Sequence, residues 1–296
     1  MLTPRRQPRR EEVCDALAYA HCGGRWSKSL QAAGKPPISN PKTMQPIPPG
    51  KGTYPVSLIV VAVNDLVATS AFYGKVFGWQ VQPMSAELAT AFPPAGPGVA
   101  FRANAPAGTP AVVPYLLTAD VDADLKRAVE AGGEVEKAPW SIPGTGKLAR
   151  FKEPSGTVYG LTTIPAPFGT PPTPMPFGDN PKPPAATVCS LEMHSADRAK
   201  TAAFFGNVFG WGCKETMPRY TGFDPGAGIP GVLQDHTPAT PAMLYVYVPD
   251  VAAKLDEIDA AGGKRSCDAM TMPGMGTFGY YSDPSSVPMG LIGPAT

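Results

Sequence analysis

The chain has 296 residues, 43% of them hydrophobic and 17% charged, with a net charge of +1. That length suggests two domains, each able to bury a core. No apolar run is long enough to span a membrane, and the near-neutral balance gives no ground for nucleic acid as a partner.

The neutrality hides an asymmetry. Residues 1–43 carry eight Lys or Arg against three Asp or Glu, and the remainder carries 17 against 21. The run Arg5-Arg6-Gln7-Pro8-Arg9-Arg10 has no apolar stretch of a secretory signal behind it. Residues 1–55 therefore read as a basic, disordered segment, with a later start at Met44 left open. The cysteines are Cys14, Cys22, Cys189, Cys213 and Cys267, an odd number without any C-x-x-C. This excludes a zinc ribbon and a redox dithiol, and favours reduced thiols in a cytoplasmic protein.

After the basic segment, Ser57–Val63 is a short β-branched run and reads as a strand. Asp65 can cap a helix containing Phe72, Val76 and Trp79, with Gly78 able to end it. Pro114–Thr118 begins another strand. A second helix places Val121, Leu125, Ala128 and Val129 on one face and stops at Gly132-Gly133. Residues 165–187 form a linker, and Pro165–Pro184 within it holds nine prolines in 20 residues, the composition of a stiff extended spacer.

The same pattern then returns. Asp65–Trp79 (DLVATSAFYGKVFGW) matches Asp197–Trp211 (DRAKTAAFFGNVFGW) at an offset of 132. Further on the offset is 130, pairing Asp120-Val121 with Asp250-Val251, Gly132-Gly133 with Gly262-Gly263, and Glu153-Pro154-Ser155 with Asp283-Pro284-Ser285. So many matches in one order identify a tandem repeat, with a first domain over 56–164 and a second over 188–296.

FYGKVFGW and FFGNVFGW after a capped strand, with the closing EPSGTVYGL and DPSSVPMGL, resemble the vicinal oxygen chelate (glyoxalase/bleomycin resistance protein/dioxygenase) superfamily, in its two-domain, glyoxalase-like or hydroxylase-like branch. The resemblance implies an α+β fold of tandem domains. Each would pair two βαβββ motifs into a curved mixed sheet around a concave cup for a small molecule. Metal-using members hold a divalent ion with His, Gln or Glu on these strands. The corresponding positions here are Leu58, Val113 and Gly160 in the first copy and Ser190, Met243 and Gly290 in the second. Carbon side chains and glycines offer no lone pair, and Ser and Met are poor ligands for such ions. The expectation is therefore no metal and no cofactor.

Strand alternation assigns the remaining faces. In the first copy Leu58, Val60, Ala62, Val113, Tyr115 and Leu117 face the cup, an apolar set that favours a filled interior. Arg150, before the closing motif, can hold an anion or sit on a solvated strand, and the second is favoured. In the second copy Ser190, Glu192 and His194 share the cup face with Met243, Tyr245 and Tyr247. If Glu192 is desolvated its pKa rises, and His194 can exchange protons near neutrality. A substitute metal site from Glu192, His194 and His236 is a minor alternative, and His21 is a lone histidine.

Three functions remain open at this level. One is a metal-free small-molecule-binding protein, with Ser190, Met243, Tyr245, Tyr247 and Tyr115 as ligand contacts. The second is a metal-dependent lyase, isomerase or dioxygenase. The third is an acid/base enzyme using Glu192 and His194. A small-molecule ligand is the expected partner, no membrane or nucleic acid is, and a homodimer is left open.

Overall fold

A computed structural model describes residues 53–236 and 242–295, which lie in one compact unit. The basic segment up to residue 52, with Met44, His21, Cys14 and Cys22, lies outside the described residues.

The first half is β1 (Val56–Ala62), α1 (Leu66–Phe77), β2 (Gln80–Ser85), β3 (Leu88–Phe92) and β4 (Gly98–Arg102), followed by β5 (Val112–Leu117), α2 (Val121–Glu130), β6 (Glu134–Ile142), β7 (Gly146–Lys152) and β8 (Val158–Thr162). These eight strands form one sheet in the order β2-β3-β4-β1-β5-β8-β7-β6. The β1–β4 and β5–β8 pairs are parallel and the others antiparallel, so two βαβββ motifs meet where β1 pairs with β5.

The second half repeats this with β9 (Val188–His194), α3 (Arg198–Phe209), β10 (Gly212–Met217), β11 (Tyr220–Asp224), β12 (Gly231–Gln234), β13 (Met243–Tyr247), α4 (Val251–Ala260), β14 (Lys264–Arg265), β15 (Met270–Met272), β16 (Gly276–Ser282) and β17 (Pro288–Gly293). Its sheet runs β10-β11-β12-β9-β13-β17-β16-β14, with β15 also on β16. The counterpart of the nine-residue β6 is thus broken into two short pieces.

The helix ends follow from the residues expected to set them. Asp65 accepts from the Ala68 amide and Asp197 from the Lys200 amide, satisfying N-terminal donors of α1 and α3. Gly78 and Gly210 close those helices with φ of 67° and 70°, a left-handed turn that costs glycine little. On α2, Val121, Leu125 and Ala128 are buried, but Val129 is 41% exposed. It was expected on the buried stripe; at 100° per residue it lies roughly 80° round from Val121, at the stripe's edge.

Side chains on the convex faces of both sheets and on all four helices share one hydrophobic core. Each half's first helix packs on the other half's sheet: Phe72 on α1 meets Tyr281 of β16 (ring centroids 6.2 Å apart), and Phe205 on α3 meets Tyr159 of β8 (4.7 Å). Trp79 and Trp211 are 3% and 4% exposed, and their indole N–H groups donate to Ala186 O and Tyr54 O across the halves. Both act as core anchors.

The repeated closing motif has a structural explanation. Glu153 accepts from the Ser155 and Thr157 amides and from the Thr201 hydroxyl on α3. Asp283 accepts from the Ser285 and Val287 amides, and Tyr73 of α1 donates to it at 3.4 Å. Each carboxylate folds its own turn and ties it to the opposite half's first helix. Between the halves, residues 165–187 contain no helix or strand and are anchored by Thr173 N to Gly228 O. No helix among the described residues is long and apolar enough to cross a membrane.

Candidate functional site

With the helices covering the convex faces, the concave faces remain as candidate sites, and both sheets curl strongly. In the first sheet, β4 and β6 are five strand spacings apart, roughly 24 Å if the sheet were flat. Yet the charge of Arg102 on β4 acts on Lys137 of β6 and on Tyr115 of β5. In the second, Tyr220 of β11 and Tyr280 of β16 are equally far apart in strand order and also interact. Each sheet therefore closes around a cup.

The floor is the same in both. Tyr115 pairs in register with Gly160, and Tyr245 with Gly290. A Cβ built on either glycine would overlap the partner tyrosine ring. Each ring thus lies flat across a glycine, and only glycine leaves it that space.

Above the floor the cups differ. In the second, Ser190, Glu192, Met243, Tyr245 and Tyr247 are all at most 6% exposed. The Tyr245 hydroxyl donates to Glu192 Oε2 at 2.8 Å. Tyr280, Phe278, Tyr220 and His236 fill the remaining space, with Tyr280 and Phe278 edge-on to Tyr245 and His236 edge-on to Tyr220. The phenols of Tyr245 and Tyr280 are pushed well above their usual pKa, first by burial and next by the Glu192 charge. His194 sits at the half-buried end of β9, its Nδ1 3.5 Å from Gln234 Oε1. The proposed acid/base partners thus share a face but turn to different neighbours, Glu192 to Tyr245 and His194 to Gln234.

In the first cup, Val113, Tyr115, Leu148 and Val158 form a separate buried cluster, and Leu58, Val60, Trp140, Ile142 and Ile164 pack on it while still partly exposed. The walls of the interior expected to be filled are thus only partly covered. The cup also carries charge that alternation along β1 and β5 did not predict. Arg150 points into this cup, not onto a solvated strand. Its side chain is 11% exposed, its Nη2 donates to Glu136 Oε1 at 3.1 Å, and its Nε approaches Oε2 at 2.6 Å off the hydrogen-bond line. Arg102 and Lys137 are half-buried. The Lys137 ammonium lies 4.0 Å from the centre of the Trp140 ring, and its pKa is lowered first by burial and then by Arg102 and Arg150. Burial pushes the Tyr115 phenol up to about 12, with Arg150 opposing.

A β-bulge explains how two adjacent residues, Glu136 and Lys137, reach one face. In the β6–β7 register Val135 faces Phe151 and Lys137 faces Arg150, which leaves Glu136 as the extra residue. The sequence signal for Arg102 was its place in the second copy, where Gln234 stands at the same offset of 132.

Residues 56–159 match the Glyoxalase/Bleomycin resistance protein/Dioxygenase superfamily, and the second sheet repeats the paired βαβββ motifs of the first. Over 249 residues it is 25% identical to CFP32 of Mycobacterium bovis, provisionally named a glyoxylase, covering 78% of this chain and 92% of that one. A stretch of 116 residues is 33% identical to the anthracycline biosynthesis protein DauV of Streptomyces sp. strain C5, 33% of this chain and 42% of that protein. Among solved structures, the Mn(II)-bound glyoxalase of Novosphingobium aromaticivorans superposes with a TM-score of 0.62 at 16% identity, over 83% of each chain. The 2,3-dioxygenase LapB of Pseudomonas sp. KL28 gives 0.59 at 13%, over 83% of this chain and 94% of its own. At such identities these structures support the fold alone.

The residues here do not fit a divalent ion such as the Mn(II) of that glyoxalase. Leu58, Val113 and Gly160 offer no donor, and Ser190, Met243 and Gly290 offer only poor ones or none. On β4 and β12, the positions in register with the cup-facing residues of β1 and β9 are Gly98, Ala100, Arg102, Val232 and Gln234. A single glutamine there does not make a site. The tyrosine rings occupy the room that a ligand side chain from Gly160 or Gly290 would need. Among the described residues no three His, Cys, Asp or Glu converge in a metal-holding group, which includes Glu192, His194 and His236.

Proposed function

We propose that this protein binds a small molecule in a cup of the superfamily fold and does so without a divalent ion. The observation that carries the reading is the tyrosine laid over glycine in both sheets, Tyr115 on Gly160 and Tyr245 on Gly290, where metal-using members would place a ligand. The first cup is the one we assign to the ligand. Its walls are apolar and half-open, and a hollow with a few convergent polar groups is the usual form of a small-molecule site. Tyr115 forms its floor, and Leu58, Val60 and Trp140 its walls. The second cup, with Ser190, Glu192, Met243, Tyr245 and Tyr247, is closed by its own aromatic side chains.

Among the described residues Trp140 provides the readout, since Trp79 and Trp211 are core residues and Trp26 lies outside the described residues. Titration with small aromatic ligands should quench tryptophan emission in the wild type and not in Trp140→Phe, with the same affinity after exhaustive chelation. Quenching that disappears on chelation and returns with Mn(II) would overturn the reading.

A second reading has one specific observation behind it. The 2.8 Å bond from Tyr245 to Glu192 gives the second cup a carboxylate able to accept a proton, with His194 on the same strand face. It calls for a pH-dependent turnover that Glu192→Gln abolishes. One relative is named for glyoxylase activity and another for anthracycline biosynthesis; neither chemistry is carried over to this chain.

A further inference from the structure

We propose that the first cup selects organic anions, seating an acidic group among Arg102, Lys137 and Arg150 and an apolar body against Leu58, Val60 and Trp140. This rests on the assignment of that cup as the ligand site, and adds the class of ligand.

The argument begins with charge. Lys137 stands opposite Arg150 in register, the charge of Arg102 acts on Lys137, and the neighbouring carboxylate Glu136 is engaged by Arg150. Among the described residues no carboxylate forms an ion pair with Arg102 or Lys137. Like charges held together away from water oppose folding unless an anion joins them. The strain shows on Lys137, whose ammonium is disfavoured by burial, Arg102 and Arg150 together.

The fold does not require this arrangement. The second half builds the same sheet with Gln234 at the place of Arg102, Cys267 at that of Lys137 and Tyr280 at that of Arg150. The cations therefore belong to this cup and not to the architecture. Delivery is specific as well: the bulge at Glu136 turns Lys137 inward beside Arg150, and bulges of this kind re-aim side chains at binding sites.

The walls define the rest of the ligand. Small inorganic anions have no use for Leu58, Val60 and the face of Trp140, whereas a flat organic body buries them. Two guanidinium groups and an ammonium suit a carboxylate or a similar oxyanion, for which arginine offers paired donors.

The test is calorimetric titration of the full chain with 1-naphthoate, neutral 1-naphthamide and inorganic phosphate, on wild type and on Arg102→Gln. The variant installs the residue that the second cup carries at that place, so the sheet tolerates it. The expected result is binding of naphthoate at least about tenfold tighter than naphthamide. Naphthoate affinity should fall by at least about tenfold in Arg102→Gln and weaken with salt, and naphthamide affinity should not change. Naphthamide binding as tightly as naphthoate, or naphthoate binding unaffected by the variant, overturns anion selection and leaves the cup assignment standing. Phosphate binding as tightly as naphthoate overturns the organic part. Failure of both naphthalene probes to bind overturns the cup assignment as well.

Discussion

The two cups have the same floor and opposite contents. In each, a tyrosine from the first strand of the second motif lies over a glycine of the last strand. Above it, one half places Arg102, Lys137 and Arg150 beside partly exposed apolar walls, and the other packs Tyr220, Phe278 and Tyr280 near a buried Glu192. A duplicated sheet can thus close one copy by packing and leave the walls of the other partly exposed. The closed cup is packed with side chains that lie outside the shared core, and the open one keeps charge that packing alone would not select.

The sharpest way to break this comparison is to add one methyl group to each floor. In Gly290→Ala the new Cβ would press on Tyr245, which Phe278 and Tyr280 hold in place, so a loss of about 3 kcal/mol is expected. In Gly160→Ala, Tyr115 can move toward the hollow, and the loss should be nearer about 1 kcal/mol. Urea unfolding of the two variants measures the difference; equal losses would mean that the cups are equally packed.

Next in size is Glu192→Ala, which removes the carboxylate that accepts the 2.8 Å bond from the buried Tyr245 hydroxyl. It should lower stability by about 1–3 kcal/mol in denaturant titration. Tyr245→Phe removes the donor and should cost less, and the double variant should fall short of the sum of the two.

In the open cup the sign should reverse. Lys137→Met removes one of the converging positive charges, and its apolar stem can still cover Trp140. The ligand-free protein should melt slightly higher, by roughly 1–2 °C, and lose affinity for naphthoate. A lower melting point would show that Lys137 serves packing.

A further effect, confined to acid pH, concerns the turn that joins the halves. Burial raises the Asp283 carboxyl from its ordinary 3.8 to about 6, against two backbone N–H bonds that favour the ionised form. A raised carboxyl pKa means that the folded chain binds the proton more tightly. This group's penalty is absent below about pH 4, grows as pH rises, and is complete above about pH 6. It amounts to at most about 3 kcal/mol. Asp283→Asn should flatten that part of the stability profile between pH 4 and 6; an unchanged slope there would mean that the carboxyl titrates normally.

The tandem fold was legible because its signals are local. A capping aspartate, a glycine at a left-handed helix end and a turn-forming Glu-Pro-Ser or Asp-Pro-Ser each act within a few residues, and each occurs twice. Alternation along β1, β5, β9 and β13 also put Tyr115, Ser190, Glu192, Tyr245 and Tyr247 on the concave side. What it could not reach was the opposite rim. The charge of Arg102 reaches Lys137 only because the sheet curls through five strand spacings, a distance not written in any local pattern. The bulge at Glu136 breaks the period of two that alternation relies on, so two neighbours enter the cup together. The closure of the second cup was missed for a related reason. Tyr220 and Tyr280 come from strands whose phase was fixed only by their registers with Gln234 and Gly290.

Metal content is the most direct test of the central claim that tyrosine on glycine has displaced the superfamily's ion. The full chain, produced in medium supplemented with manganese, iron, nickel and zinc and then desalted, should carry far less than one equivalent of any of them by elemental analysis. One or two tightly held equivalents per chain would contradict the account.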